Sequence, residues 1–317
     1  MEGSSRHLER LAIILPCLNE EAMLPHTIPT LLAELIRLVE RERISPESFL
    51  LFVDDGSADS TWEIISANSS QTLKGVRLSR QCGHQTALLA GLEEALPYCD
   101  VCITMDADLQ DDVSAIEEML QIFRQGADIV YGVRRDRHSD TWLKKTTAST
   151  FYDTMRRLGV ESVSNHADFR LMSSRAVADI LDYEERNLYL RGIIPLLGYR
   201  QEKVYYDRAP RQAGKSKYPL RKMLDFAVDG ITSFSVRPVR MLFWLGILFT
   251  FTALGIGIYT LIRHFTGETI AGWTSLMLSI WFCTGVLLMG LGIIGEYIGK
   301  IYIEVKKRPR YKVADRV

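Results

Sequence analysis

The sequence of 317 residues has almost no excess charge, since 38 Lys and Arg stand against 39 Asp and Glu. Without a basic excess the composition does not point to a nucleic-acid partner, and we expect none. The five cysteines fit a reducing compartment. Cys99 and Cys102 form a CxxC, but no second Cys pair or His cluster accompanies it. The sequence therefore predicts neither a zinc site nor a redox site there.

Two long stretches, Met241–Ile262 and Thr269–Gly295, lack Asp, Glu, Lys, Arg and His altogether. Each is long enough to cross a bilayer, because about 20 helical residues cover the ~30 Å hydrocarbon core; a buried helix hairpin of a soluble protein is the alternative. Basic residues are abundant on the outer flanks of this pair and scarce between its members. The positive-inside rule thus predicts that both termini are cytoplasmic.

A signal peptide is not expected, because the first apolar run, Leu11–Leu15, is too short for one. The part of the chain before about residue 237 should then be cytosolic. After Pro219 apolar residues recur with a helical period, from Leu220 to Ile231, opposite a polar face. This pattern predicts an amphipathic helix, which either lies in the membrane interface or packs on the soluble domain.

Strand-like apolar runs alternate with helical patterns from residue 10 to about 131. The predicted strands are Leu11–Cys17, Phe49–Asp54, Gly75–Ser79, Val101–Asp106 and Asp128–Tyr131. The predicted helices are Glu21–Arg43, Ser60–Asn68, His84–Leu96 and Val113–Gln125. This alternation predicts an α/β domain with a mostly parallel, Rossmann-like sheet and helices on both faces. Ligands of such sheets bind beyond the carboxyl ends of the strands.

Carboxylates follow two of these strands, at Asp54–Asp55 and at Asp106–Ala107–Asp108, so they should meet at one edge of the sheet. If the chain stays extended, Asp106, Asp108 and Gln110 face the same side. Oxygen donors without His or Cys suit Mg²⁺ or Mn²⁺, and a diphosphate is the expected companion of the metal.

Two further acids, Asp111 and Asp112, stand just before the next predicted helix. The favoured interpretation is that both cap its N-terminus and complement its dipole.

A family resemblance rests on motifs that run through nearly the whole chain. They are LPCLNEE (15–21), VDDGSADST (53–61), GHQTALLAGL (83–92), DADLQ (106–110), GVRRDR (132–137), ADFRL (167–171), GKSKYPLRKM (214–223) and GEYIGKIYIEVKKRPRY (295–311). In this order, and with two apolar spans before the last, they resemble the polyprenyl-phosphate glycosyltransferases of glycosyltransferase family 2, the dolichol-phosphate mannose synthase type. Gln81 stands where many relatives have Asn, and Lys144–Lys145 stand where some have Arg.

The resemblance implies a GT-A catalytic domain that moves a sugar, with inversion, from a nucleotide-diphosphate sugar to a polyprenyl phosphate. UDP-glucose is the favoured donor and undecaprenyl phosphate the acceptor, at the bacterial inner membrane, for cell-envelope glycan modification. The implied nucleotide-sugar residues are Pro16, Asn19, Glu20, Asp54, Asp55 and Asp106. The implied Mg²⁺ or Mn²⁺ ligands are Asp106, Asp108 and Gln110. Asp168 is implied to lie at the sugar and acceptor side, as a catalytic residue with Asp108.

Transfer to a phosphate also needs cations. The acceptor phosphate is largely a dianion near neutral pH and is already nucleophilic, so no strong general base is required. Basic side chains must hold it beside the donor diphosphate. We expect Arg134 to act in catalysis. The candidates for binding the acceptor phosphate are Arg137, Lys144, Lys145, Arg211, Lys215, Ser216 and Lys217.

The predicted organisation is a cytosolic GT-A domain (1–217), a juxtamembrane amphipathic helix (218–238), a two-helix transmembrane hairpin (239–299) and a basic cytosolic tail (300–317). A homo-oligomer is left open. One alternative is a processive polysaccharide synthase, but the QxxRW motif typical of that class is absent, the nearest string being QIFRQ at 121–125. The other alternative is a non-catalytic membrane protein that binds nucleotide sugars or lipid, which the intact DADLQ disfavours.

Overall fold

The computed structural model describes residues 8–135, 166–185, 190–207 and 272–317, together with isolated positions between 239 and 266. The first three of these ranges and the end of the fourth contribute strands to one sheet of eight strands. Its strands are β1 (Leu11–Cys17), β2 (Phe49–Asp54), β3 (Leu73–Leu78), β4 (Val101–Thr104), β5 (Ile129–Arg134), β6 (His166–Ser173), β7 (Gln201–Tyr206) and β8 (Val313–Arg316).

The strand order is β7-β5-β6-β4-β1-β2-β3-β8. Strands β4, β1, β2 and β3 form a parallel block, and β5 pairs in parallel with β7. Strand β6 lies antiparallel between β4 and β5, and β8 lies antiparallel to β3 at the edge. The mostly parallel sheet predicted from the sequence is therefore confirmed.

Helices connect the strands and cover the sheet. They are α1 (Leu24–Glu40), α2 (Thr61–Ala67), α3 (His84–Ala95), α4 (Ala115–Arg124), α5 (Ser174–Asp182) and α6 (Leu190–Leu196). A longer helix, α7 (Trp273–Lys306), comes later in the chain. Alternate residues of β1 face opposite layers, as a pleated strand requires. Leu11, Ile13 and Leu15 join a core with residues of α1, α2 and α4. Ile14 points to α3, where a Cβ added to Gly91 would lie 2.4 Å from its Cγ2. The glycine thus allows close packing of α3 on the sheet.

This topology gathers several chain segments at one edge of the sheet, the edge formed by the carboxyl ends of the parallel strands. The parallel strands β1, β2 and β4 all end there, so the residues after Cys17, Asp54 and Thr104 become neighbours. Because β6 runs the opposite way and pairs Arg170 with Thr104, its first half begins at that same edge. Asp168 therefore joins the loops that follow the parallel strands.

The long helix α7 belongs to a second compact unit, separate from the unit that holds the sheet. Its segment Phe282–Lys306, 25 residues, is long and apolar enough to cross a membrane. The other predicted span, Met241–Ile262, lies mostly outside the described residues, and so does the predicted amphipathic helix. One candidate span is thus present in the described part of the chain, and the second stays a prediction.

The end of the chain returns to the sheet, which the sequence did not predict. Residues 300–317 were expected to form a basic tail, but α7 continues to Lys306 and Arg308–Val317 belong to the unit that holds the sheet. The amide of Gly75 on β3 donates to the carbonyl of Val317 at 2.8 Å, and Arg316 pairs with Glu94 of α3 at 2.5 Å. The tail therefore covers the edge of β3, which would otherwise expose unpaired backbone groups.

Candidate active site

The loops after β1 and β2 are joined by hydrogen bonds. The Asn19 backbone, at φ +55°, donates to Ser57 Oγ at 3.0 Å, and its side-chain Oδ1 accepts from the amide of Ala58 at 2.9 Å. The amide of Glu20 donates to Thr61 Oγ1 at 2.8 Å. Pro16 lies on β1 in register with Val53 of β2. The structure thus brings the residues of the LPCLNEE and VDDGS motifs together at one edge.

Two buried acids, the last residue of β2 and the residue after it, accept hydrogen bonds from backbone amides of nearby loops. Asp54 accepts from the amide of Ser57 at 2.9 Å. Asp55 accepts from the amides of Cys82 at 2.6 Å and Gly83 at 2.8 Å, directly before α3. Burial raises the pKa of Asp55, against the opposing effect of these two amides. Gly83 has φ +96°, a conformation that favours glycine, so the turn into α3 is specific to this residue.

The DADLQ segment follows β4 in an irregular turn. Leu109 has φ +52°, the amide of Gln110 donates to Asp108 Oδ1 at 3.2 Å, and Thr27 of α1 donates to the carbonyl of Ala107 at 2.7 Å. The Asp106 side chain remains 37% exposed and its Oδ1 lies 3.7 Å from His84 Nε2. The chain therefore does not stay extended here, which was the condition for Asp106, Asp108 and Gln110 to face the same side.

Negative charge is crowded around Asp106. Burial against the surrounding protein raises the pKa of Asp106 to about 6; the carboxylates of Asp168, Asp111 and Asp108 add to this rise, and His84 opposes it. A bound cation would relieve this repulsion. The donor set of Asp106, Asp108 and Gln110 contains only oxygen donors, which fits Mg²⁺ or Mn²⁺ in chemical type. Within the described residues no three His, Cys, Asp or Glu side chains form a ready-made metal cluster.

The prediction that Asp111 and Asp112 both cap α4 is correct for Asp112 only. Asp112 accepts from the amide and hydroxyl of Ser114, the residue before α4, at 2.9 and 2.7 Å. Asp111 is buried, and its Oδ1 accepts from Arg134 Nη2 at 2.9 Å and from the Tyr206 hydroxyl at 2.5 Å. Asp111 therefore connects the loop after β4 to the ends of β5 and β7, and Arg134 is paired with it.

Asp168 is held by three basic side chains. Its Oδ1 accepts from Arg170 Nη2 and from Arg191 Nε at 3.2 Å. Its Oδ2 contacts Arg191 Nη2 at 3.0 Å and His84 Nε2 at 3.2 Å. The backbone is fixed as well, because Thr104 donates to the Asp168 carbonyl at 2.6 Å. Asp168 is only 4% exposed.

These contacts determine the protonation of Asp168 and His84. Burial alone would raise the pKa of Asp168, but Arg170, His84 and Arg191 outweigh it and hold the pKa well below its usual range. Burial also opposes a charge on His84, but its hydrogen bond with Asp168 and the nearby Asp106 raise the pKa of His84. One carboxylate faces two guanidiniums, which leaves an excess of positive charge.

His84, Arg170 and Arg191 had no role in the sequence-based prediction. His84 and Arg170 stand inside the GHQTALLAGL and ADFRL motifs, so the signal was present without an assigned role. Arg191 is on α6, in a region where no element was predicted. The basic residues predicted to bind the acceptor phosphate, Arg137, Lys144, Lys145, Arg211, Lys215, Ser216 and Lys217, lie outside the described residues.

The mostly parallel sheet, with acids after its parallel strands, is an α/β domain of GT-A-like type. Glycosyl transferase family 2 matches residues 12–181, and the family of the GtrB C-terminal hairpin matches residues 237–301. The chain belongs to glycosyl transferase family 2.

Similar proteins cover nearly the full length. An uncharacterized glycosyltransferase, YkoT of Bacillus subtilis (strain 168), is 49% identical over 96% of this chain and 90% of its own. The SfII prophage-derived bactoprenol glucosyl transferase of Shigella flexneri is 38% identical over 95% of this chain and 96% of its own. Among solved structures, glucosyl-3-phosphoglycerate synthase from Mycobacterium tuberculosis is similar with a TM-score of 0.44 and 18% identity, over 71% of this chain and 79% of that chain.

Proposed function

We propose that this glycosyltransferase moves a sugar from a nucleotide-diphosphate sugar to a polyprenyl phosphate, with inversion. The observation that carries the proposal is the near-full-length match, at 36–38% identity, to several proteins named bactoprenol glucosyl transferase. The match includes both the family 2 domain and the C-terminal hairpin, in the same order along the chain. UDP-glucose is the proposed donor because those names specify a glucosyl transfer.

The charge distribution at the sheet edge supports a transfer between two phosphate-bearing substrates. The nucleotide is proposed to bind at the loops of Pro16, Asn19 and Glu20 and of Asp54 and Asp55. These loops are fixed to each other by the hydrogen bonds of Asn19 and Glu20, so they offer a preorganised surface. The acceptor phosphate is a dianion and attacks without a strong general base.

A divalent cation is the proposed cofactor, held by Asp106, Asp108 and Gln110. When bound, Mg²⁺ or Mn²⁺ neutralises charge on the departing diphosphate. Support comes from the carboxylates of Asp168, Asp111 and Asp108, which add to the rise in the Asp106 pKa that burial causes. Unneutralised carboxylates would repel a diphosphate, so a cation is needed between them. The loop itself is anchored by Thr27, which binds the carbonyl of Ala107, and this contact fixes where the two acids lie.

The protein is proposed to be an integral membrane enzyme of the bacterial inner membrane with its catalytic domain in the cytoplasm. The candidate span in α7 and the match to a C-terminal hairpin family support this. The basic segment from Arg211 to Lys217, with Arg137, Lys144 and Lys145, is proposed to bind the acceptor phosphate beside the membrane.

The proposal can be tested by incubating the purified full chain in detergent with undecaprenyl phosphate, Mg²⁺ or Mn²⁺, and a panel of nucleotide sugars. The product lipid is then identified by mass. One added hexose from UDP-glucose is the expected result, and an Asp108→Asn variant should not form it. A ladder of lipids with several sugars would instead indicate a processive synthase. No lipid product with any donor would refute the acceptor assignment.

A further inference from the structure

We propose that Arg191 is a phosphate-binding residue and that Asp168 is a positioning residue that holds its guanidinium in place. The inference deepens the proposed function, on which it rests, by assigning a phosphate contact to a residue outside the predicted acceptor set. The phosphate is either the donor diphosphate or the acceptor phosphate, because a guanidinium recognises both through the same chemistry.

The hydrogen bonds of Asp168 leave little room for it to act as a base. A carboxylate offers about four acceptor positions. Arg170 Nη2 and Arg191 Nε occupy Oδ1, while Arg191 Nη2 and His84 Nε2 occupy Oδ2. Four donors therefore satisfy this buried side chain, and the low pKa agrees with an anion that stays ionised. Its structural effect is to orient the side chains that bind it.

Arg191 differs from Arg170 in being accessible. The side chain of Arg170 is 1% exposed, whereas that of Arg191 is 32% exposed. Two hydrogen bonds to Asp168, through Nε and Nη2, fix the plane of the Arg191 guanidinium. Its helix is also tied to α3, because the amide of Leu190 donates to Gln85 Oε1 at 3.2 Å. A fixed and accessible guanidinium loses little freedom when it binds an anion.

The position of this pair suits a phosphate. Asp168 and its two arginines carry a net positive charge. They lie beside His84, which reaches to within 3.7 Å of Asp106 in the proposed metal loop. A phosphate placed between the metal loop and Arg191 would contact positive charge on two sides. Both proposed substrates carry such a group, so Arg191 would reduce the repulsion between them.

The test compares Arg191→Gln and Arg191→Lys with the wild-type chain and with Arg200→Gln. Arg200 is an exposed arginine before β7, at the opposite end of the strands, where it pairs with Glu202. Two measurements are made: binding of UDP by calorimetry, and initial rates over a range of undecaprenyl phosphate. Arg191→Gln should raise either the Kd for UDP or the KM for undecaprenyl phosphate by about 10- to 100-fold.

The affected measurement identifies the source of the phosphate. Weaker UDP binding indicates the donor diphosphate, and a higher KM for the lipid indicates the acceptor. Arg191→Lys should recover part of the loss, because an ammonium keeps the charge without the paired geometry. Arg200→Gln should match the wild type. Unchanged Kd and KM in Arg191→Gln would overturn the proposal.

The role of Asp168 is tested with Asp168→Asn and the double variant with Arg191→Gln, both checked by thermal melting because Asp168 is buried. A positioning role predicts the same rise in Kd or KM as in Arg191→Gln, and no further rise in the double variant. A lower kcat with unchanged Kd and KM, and a change in the acid limb of the pH profile, would instead make Asp168 a general base and overturn its positioning role. If wild-type protein transfers no sugar to the lipid, the proposed function fails. UDP binding by Arg191→Gln then decides the Arg191 assignment alone.

Discussion

Replacing Asp111 should cost far more stability than replacing its neighbour Asp112. Asp111 is buried and accepts from Arg134 and from the Tyr206 hydroxyl through one oxygen, while its Oδ2 has no hydrogen-bond partner in the described part of the chain. Asp111→Asn removes the negative charge that pairs with Arg134, and it replaces one acceptor oxygen with an NH2 group that can only donate. Asp112→Asn keeps a side-chain oxygen that can accept from Ser114 before α4.

The size of the effect follows from these contacts. One hydrogen bond to a charged group contributes about 1.5–3 kcal/mol, and breaking a buried ion pair costs about 3–5 kcal/mol. Arg134 keeps 27% of its side chain exposed, so we take about 3 kcal/mol, the overlap of the two ranges. At roughly 2–4 °C per kcal/mol for a domain of this size, Tm should fall by about 6–12 °C. Asn and Asp are nearly equal as caps, so Asp112→Asn should shift Tm by less than about 2 °C.

The assay is thermal unfolding of the full chain in detergent, followed by near-ultraviolet circular dichroism with both variants at the same protein concentration. Tyr206→Phe serves as a second probe, because it removes only the hydroxyl and keeps the ring that packs edge-on against Phe169. It should produce a smaller loss than Asp111→Asn. Equal Tm shifts in Asp111→Asn and Asp112→Asn would refute the distinction between an anchor and a cap.

Three further outcomes are expected. Asp108→Asn should keep the wild-type Tm but lower turnover on the order of 10³-fold. The measurement is the initial rate of sugar transfer, with wild-type protein in excess chelator as the reference for loss of the metal. A tag at Gly267 should be reachable only from outside the cell, and one after Val317 only from the cytoplasm; labelling on one side would refute the two spans. The hydrogen bond from Arg175 lowers the pKa of Asp128. Asp128→Asn should therefore lower Tm above about pH 4, and the difference from wild type should vanish as pH falls through the folded-state pKa.

The central strands were predictable because their sequences carry a strong local signal. Strands β1 and β2 have the bounds predicted, Leu11–Cys17 and Phe49–Asp54, since both are continuous apolar runs buried on both faces. Strand β5 begins one residue later and extends to Arg134 instead of Tyr131. Its last residues include Gly132 and the polar Arg134, which do not favour a strand by themselves.

Strand β8 shows why other elements were missed. Its sequence, Val313–Arg316, is only four residues long and half polar, and it becomes a strand by pairing with the edge of β3. Strand β6 lies in a region where no strand was predicted, and it pairs antiparallel with both β4 and β5. Both depend on pairing with distant segments, which local periodicity does not encode.

The same limit applies to the roles of the site carboxylates. The partners of Asp111 lie 23 and 95 positions away in sequence, and His84 lies 84 positions from Asp168. A motif locates such an acid but does not reveal which cations surround it. Asp168 has three basic partners, whereas Asp106 faces other carboxylates and His84. Within the described residues Asp106 has His84 as its basic neighbour, whereas Asp168 also has two guanidiniums. We therefore infer that the proposed metal acts beside Asp106 and that the proposed phosphate contact of Arg191 lies beside Asp168.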